Sequence, residues 1–415
     1  MEKLISSRLR FVRSLGLAWA MILSVSPLAA TVMNIEIDYM EVSGGHSHKP
    51  QPAEIAAVVQ MFACRGITLN IVVDQSIPHY NVMPRDPNNL NNFFGYSDVP
   101  SSFGNLRDLY FNHKGQAGWH YCIFGHQYMA DTGATTSSSG LGQNPGTYFV
   151  VTLGAFSGQI GTPFDRASTL AHEFGHTLGL VHGAVGKYQP NKPSIMSYFY
   201  QLSGVRTALL DAGLSTPQAV LLKEMDYSDG TMCTLNEMLL NEQFGSGMVS
   251  VDWDCNGTIS GNVSQGIDDA GNWCTDPGSD RNILPDVNEW SIIQDTTASF
   301  SARSDTAPPR DVSCVTAEEM KSYQQRFTPT LPQPTLTTEP CISAKMIYLT
   351  PGALPAGSGT CSSPYTMLGL AQVLAPSGSH LFCLPGTYTL DAGPVHLNKP
   401  MTIFCNIGTA VLKPQ

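Results

Sequence analysis

Residues 172–182 read His-Glu-Phe-Gly-His-Thr-Leu-Gly-Leu-Val-His, and this stretch restricts the chain more than any other. On a helix, residues four apart share one face. The spacing therefore predicts His172 and His176 aimed at one point, with Glu173 beside them. Gly179 accepts a positive φ without a steric penalty and predicts that the chain turns off the helix there, bringing His182 back as a third imidazole. Imidazole nitrogens suit zinc, and three protein ligands leave a fourth position open, which is the catalytic arrangement; a structural zinc is usually closed by four. A carboxylate beside such an ion can take a proton from an acidified water. The pattern predicts one catalytic Zn2+ on His172, His176 and His182, with Glu173 as general base. A bare His-Glu-x-x-His can arise by chance on a helix; the third histidine and the glycine before it make chance a poor explanation.

The flanking sequence predicts an α+β domain. Alternating apolar positions from Val32 to Tyr39 read as a strand. Pro52 to Cys64 has helical apolar spacing, with proline near its start and Gly66 ending it, and residues 67–74 read as a buried β-branched strand. One helix followed by one strand is an ordinary α+β opening. Residues 75–117, rich in Asn, Pro, Asp and Gly, read as a long loop shaping a cleft wall. Trp119–Met129 and Thr147–Leu153 read as strands, separated by a flexible loop at 131–146. The second of these strands is expected to offer an edge to an extended peptide. The motif helix is expected to begin near Asp165, capped by Asp165 or Ser168. His46 and His48, close together in a Gly-Gly-His-Ser-His-Lys-Pro turn, read as solvated loop histidines more readily than as metal ligands. His120 and His126 read as core or hydrogen-bonded residues.

After the motif comes Ser194-Ile195-Met196-Ser197-Tyr198. His172–His182 followed closely by this segment resembles the metzincin clan of zinc metallopeptidases, in which a methionine-containing turn lies beneath three zinc-binding histidines. The surrounding layout resembles the bacterial pappalysin kind. The resemblance spans residues 172–198. It implies a metzincin-like catalytic domain with a twisted mixed sheet and an active-site helix. It gives ligand roles to His172, His176 and His182 and a general-base role to Glu173. It also gives the turn position to Gly179 and the turn under the metal to Met196. Tyr198, two after the methionine, resembles a tyrosine that in some branches binds the resting zinc and then swings to stabilise the oxyanion.

The rest of the chain divides by composition. Residues 1–30 resemble a secretory signal: a basic start (Lys3, Arg8, Arg10, Arg13), an apolar run from Leu15 to about Val25, and small residues at 27–30. The peptidase domain is expected over 31–245, an Asp/Asn/Cys-rich region over 246–300, a Pro-rich linker over 301–340 and a repeat segment over 341–415. Glu237 and Glu242 read as surface residues. Asp252-x-Asp254-x-Asn256-Gly257-Thr258 resembles the first half of a calcium loop. Asp252, Asp254, Asn256 and Thr258 are candidate Ca2+ ligands, although the twelfth position is Val263; the alternative is an Asp/Asn turn with no ion. In the last segment 381–390 aligns with 403–412 at a constant offset of 22 residues, and Cys361 stands the same distance before Cys383. Such a period suggests solenoid coils and resembles the start of a right-handed parallel β-helix, truncated at Gln415.

A formal net charge of −11 argues against nucleic acid or an anionic membrane as the main partner. An even count of 10 cysteines behind an export signal reads as disulfides. Cys64 and Cys122, the only two before the motif, are expected to pair. Together these features predict a secreted zinc endopeptidase acting on protein or peptide. Two alternatives stand beside it: a surface adhesin or glycan-binding protein with an accessory zinc domain, and a zinc hydrolase of non-peptide amides. Substrate preference, latency and oligomeric state have no decodable signal.

Overall fold

The computed structural model describes residues 31–413 except for internal stretches, the longer of which are 212–220, 294–309, 320–333, 351–356, 390–398 and 405–409. The signal-like residues 1–30 and much of the linker lie outside the described residues.

The chain opens with β1 (Val32–Glu41), α1 (Pro52–Ala63) and β2 (Thr68–Pro78), followed by α2 (Phe103–Tyr110) and β3 (Trp119–Gly125). A two-residue pair, β4 (Tyr128–Met129) with β5 (Thr135–Thr136), precedes β6 (Gly140–Asn144), β7 (Tyr148–Thr152) and the motif helix α3 (Pro163–Thr177). A mixed sheet is ordered β12-β6-β7-β3-β1-β2, where β12 is Arg310–Ser313. β2, β1, β3 and β7 run parallel, while β6 lies antiparallel to both β7 and β12. The fold is thus α+β with a mixed sheet.

Strand alternation builds two cores. Phe149 and Val151 of β7, with Cys122 and Phe124 of β3, face α1 and α3 and join Phe62, Leu170, Phe174 and Met196. Val150, Tyr121 and Ile123 face the opposite way, onto Phe93, Phe94, Phe103 and Leu106. The second core explains why 75–117 is not all loop: Ser102 caps α2 by accepting from the Asn105 amide at 3.3 Å, and the aromatic residues around it close the sheet's other face. The 131–146 stretch likewise holds β5 and β6 where a flexible loop was expected. β7 is interior, between β3 and β6, so the strand expected to offer an edge has none.

α3 starts earlier than Asp165. Thr162 is the cap: its hydroxyl accepts from the Asp165 amide at 3.1 Å, and the Asp165 carboxylate accepts from the Thr162 amide at 2.8 Å, a reciprocal capping box with proline at the first turn. Ser168 lies inside the helix and donates to the Gln201 carbonyl at 2.5 Å. Glu54 of α1 forms an ion pair with Arg166 of α3, both buried, which locks the two helices together.

Beyond α3 come α4 (Val205–Asp211) and two short antiparallel pairs, β8 (Leu235–Asn236) with β11 (Ile283–Leu284) and β9 (Leu240–Asn241) with β10 (Asn262–Val263). Glu237 and Glu242 are fully buried here and not on the surface. Glu237 accepts from the Ile267 amide at 2.5 Å and the Asn282 amide at 2.7 Å. Glu242 accepts from the Trp253 amide at 2.9 Å and the Ser260 amide at 2.8 Å. These carboxylates tie together the loops around the two short strand pairs.

The C-terminal strands are β13 (Met346–Leu349), β14 (His380–Cys383), β15 (Gly386–Thr389), β16 (Thr402–Phe404) and β17 (Ala410–Lys413), with α5 (Leu368–Leu374) between β13 and β14. All their pairings are parallel. Phe382 stands opposite Phe404, the 22-residue offset of the sequence repeat. The offset is not constant, however. Gly386 pairs with Ala410 and not with Gly408, and the step before it pairs Met346 with His380, so α5 lengthens that step and the Cys361 spacing is coincidental.

The expected Cys64–Cys122 bridge does not form. Cys64 caps the end of α1 and pairs with Cys341, while Cys122 is buried and unbridged in the middle of β3. Cys233 pairs with Cys361, and Cys255 with Cys274. Among the described residues, no helix is long and apolar enough to cross a membrane.

Candidate metal centre and active site

α3 presents His172, Glu173 and His176 on its buried face, and Gly179, at φ +93°, ends the helix and turns the chain back toward His182. His172 Nε2 lies 3.1 Å from His176 Nε2, which lies 2.9 Å from His182 Nε2. Carbonyl oxygens only accept, so two tautomers are fixed. His172 donates from Nδ1 to the Ile195 carbonyl at 2.7 Å, and His176 from Nδ1 to the Leu180 carbonyl at 2.8 Å. Both then turn an Nε2 lone pair inward, so their 3.1 Å contact cannot be a hydrogen bond between neutral rings. Burial, reinforced by the neighbouring rings, pushes His172 and His182 well below the ordinary imidazole range, and burial takes His176 down to about 4. Three neutral imidazoles whose Nε2 atoms converge are the donor set zinc takes. Tetrahedral ligands at about 2.0–2.1 Å from zinc sit roughly 3.3 Å apart, a few tenths of an ångström more than here. The residues fit the ion.

The turn at 194–198 supports this centre from below. Ser197 N donates to the Ser194 carbonyl at 3.0 Å, closing the turn, and Ile195 supplies the carbonyl that orients His172. Met196 is fully buried, and a Cβ on Gly175 would meet its sulfur at 2.7 Å; only glycine lets the turn come so close under the helix. The Tyr198 ring lies 4.4 Å, centroid to centroid, from His182. Glu173 is fully buried beneath β6: a Cβ on Gly140 would fall 2.2 Å from its Oε1. The glycine in β6 is what admits the carboxylate beside the histidines.

Lys192, unassigned by the sequence, belongs to this neighbourhood. Its ammonium donates to the Val181 carbonyl at 2.8 Å, next to His182, and pairs with the buried Glu289 at 2.6 Å. Asn191 donates to the carbonyls of Cys233 and Leu284 at 2.7 and 2.8 Å. Both sit in a Pro- and Gly-punctuated connection with no periodic pattern, so only the fold reveals them.

The calcium-like loop behaves differently. Asp252 accepts from the amides of Asn256 at 3.1 Å and Gly257 at 2.7 Å, and the Asn256 side-chain oxygen accepts from the Thr258 amide at 2.9 Å. Its side-chain oxygens thus accept from the loop's own amides, and Asp252 and Asp254 also gather with Glu242 in one acidic group. Elsewhere, His120 packs edge-on against Phe174 at 5.0 Å, whereas His46, His48 and His126 gather with His79 into a second histidine cluster.

No protein-family model and no curated protein sequence matches the chain. Solved structures that overlap with it include metalloproteinase-II from Bacteroides fragilis (19% identity, TM-score 0.24, covering 37% of this chain and 43% of that one). Another is archaemetzincin from Methanopyrus kandleri (14% identity, TM-score 0.23, 39% and 81%). A third is a zinc-dependent peptidase from Methanocorpusculum labreanum (12% identity, TM-score 0.25, 39% and 86%). The chain thus spans less than half of the Bacteroides structure. At these TM-scores the functional reading rests on the site's own geometry.

Proposed function

We propose that this chain is a secreted zinc-dependent endopeptidase. The observation that carries the reading is the convergence of the His172, His176 and His182 Nε2 atoms, with Glu173 next to His172 on the same buried helix. Zinc held by these residues supplies Lewis-acid chemistry, acidifying a water and polarising the scissile carbonyl. Glu173 takes the proton of the attacking water and returns it to the leaving amine. Tyr198, its ring tilted against that of His182, donates its hydroxyl proton in a hydrogen bond to the developing oxyanion. Ile195 and Leu180 hold the ligand rings in one tautomer, and Lys192 fixes the His182 loop.

An extended peptide would pair with the strand nearest Glu173, which is β6. Residues 310–313 already lie along its outer edge, so substrate and β12 compete for one ladder. The bridges Cys64–Cys341, Cys233–Cys361 and Cys255–Cys274 are compatible with an extracellular setting. The reading of 341–415 as parallel β-helix coils has the parallel pairing of the strands from Met346 onward behind it. The pappalysin-like placement has the motif resemblance alone behind it, and the mechanism needs no calcium.

The test is Glu173→Gln. Cleavage of an unstructured protein should fall by roughly 10²–10⁴, with zinc content and circular dichroism unchanged. Undiminished proteolysis by the purified variant would sink the assignment.

A further inference from the structure

Four histidines outside the catalytic centre meet at one point. His46 and His48 follow β1, His79 follows β2 by one residue, and His126 follows β3 directly. These three strands are parallel neighbours in the order β3-β1-β2, so their carboxyl ends open on the same side, and each contributes histidine there. One candidate ligand nitrogen from each ring lies within 4.8 Å of those of the other three. His46 Nε2 is 3.2 Å from His79 Nε2, and His126 Nδ1 is 3.4 Å from His48 Nε2. All six ring-centroid separations fall between 4.9 and 5.5 Å. His48 and His126 are buried, and His46 and His79 half-buried.

The surroundings keep the rings together and make room for them. A bridge between Glu41 and Ser47 folds the loop after β1 back on its strand, and His48 N donates to the Met40 carbonyl at 3.0 Å. A Cβ on Gly154 would lie 2.7 Å from His126 Cδ2, so glycine there leaves the ring its place. Among the described residues, no carboxylate belongs to this cluster. A neutral imidazole has one donor and one acceptor, and four of them converging from three segments offer several lone pairs to one centre. Neutral nitrogen donors in a set of four suit a closed tetrahedral site, which zinc occupies structurally and without an open position for chemistry.

The geometry points to a second, structural zinc site formed by His46, His48, His79 and His126, clasping the loops that follow three adjacent strands of the sheet. It does not depend on the peptidase reading. It predicts that the ion contributes to folding free energy, independently of the catalytic centre.

The experiment measures zinc per chain by elemental analysis, and the melting temperature, for the purified full-length protein after dialysis against metal-free buffer. The expected result is two zinc ions for the parent and one for His172→Ala/His176→Ala. One is also expected for His46→Gln/His79→Gln, which replaces the two half-exposed ligands. Only the last variant should lose the zinc-dependent rise in melting temperature that the catalytic-ligand variant keeps. A folded His172→Ala/His176→Ala protein that holds no zinc overturns the proposal, as does a His46→Gln/His79→Gln protein with the parental count. If His46→Gln/His79→Gln does not fold, the catalytic-ligand variant decides alone. A parent with one ion, lost on changing His46 and His79 and kept on changing His172 and His176, would overturn the peptidase centre and leave this site standing.

Discussion

Single atoms decide what can stand next to Glu173. A methyl group at position 140 would lie 2.2 Å from the Glu173 carboxylate and 2.6 Å from the Val150 carbonyl, and the second neighbour is backbone that cannot swing away. Gly140→Ala should therefore cost about 1–3 kcal/mol through overpacking. It should also lower turnover by displacing the general base, read by urea denaturation and peptide hydrolysis; parental values of both would show that β6 does not press on the carboxylate. A second residue sets how stability depends on pH. Burial raises Asp286 to about 7, against hydrogen bonds from Ser228 and the Met232 amide and with Glu289 adding to the rise. A carboxyl whose folded pKa is raised favours folding fully below its unfolded value near 4. That contribution is lost as pH climbs through about 7. Asp286→Asn keeps an acceptor for Met232 and cannot ionise. The parent should thus lose unfolding free energy relative to the variant between about pH 4 and about pH 7, and a constant difference across that range would contradict the assignment.

At the scale of elements, β6 and β12 control access to the site. β12 pairs Arg310 to Ser313 against Asn144 to Leu141, so a substrate strand must displace it. Competition of this kind raises apparent KM by the reciprocal of the fraction of molecules in which the edge is free. Val312→Pro fixes φ and deletes one amide donor, and should lower KM for an extended peptide while leaving kcat near the parental value. An unchanged or higher KM would mean that β12 does not lie in the substrate's path. None of this was legible in the sequence. β6 reads Gly-Leu-Gly-Gln-Asn, a composition that signals a loop, because the position needs glycine to approach α3 more than it needs β-branched residues. The motif helix was legible because its ligands are local: helical geometry aligns His172 with His176 four residues on, and the glycine turn at Gly179 returns His182 six residues further. The second histidine cluster was not, because positions 46, 48, 79 and 126 are assembled by parallel strand order, which no local pattern encodes. The cysteines failed for a related reason. Cys122 has no partner in reach because strand alternation turns it into the core, while Cys64 reaches a residue 277 positions away.

Across the whole molecule, bridges reinforce the packing between distant segments. Cys64–Cys341 anchors the end of α1 to the approach of the C-terminal strands, and Cys233–Cys361 ties the irregular region after α4 to the segment between β13 and α5. The second closes a loop of 128 residues, and closing a loop of that size removes denatured-state entropy equivalent to about 5 kcal/mol in the chain-entropy model, with 2–5 kcal/mol typical when a native bridge is lost. Local contacts survive its removal: the Cys361 amide still donates to the Thr231 carbonyl, and Met232, Tyr348 and Phe382 share one core. The variant Cys233→Ser/Cys361→Ser should therefore fold, with unfolding free energy lower by about 2–5 kcal/mol. The parent in reductant should fall at least as far, since reduction opens Cys64–Cys341 and Cys255–Cys274 as well. Cys122→Ser, which touches no bridge, should respond to reductant as the parent does. A parent whose melting temperature ignores reductant would show that these cysteines do not carry the load, and with it would go the structural argument for an oxidising compartment.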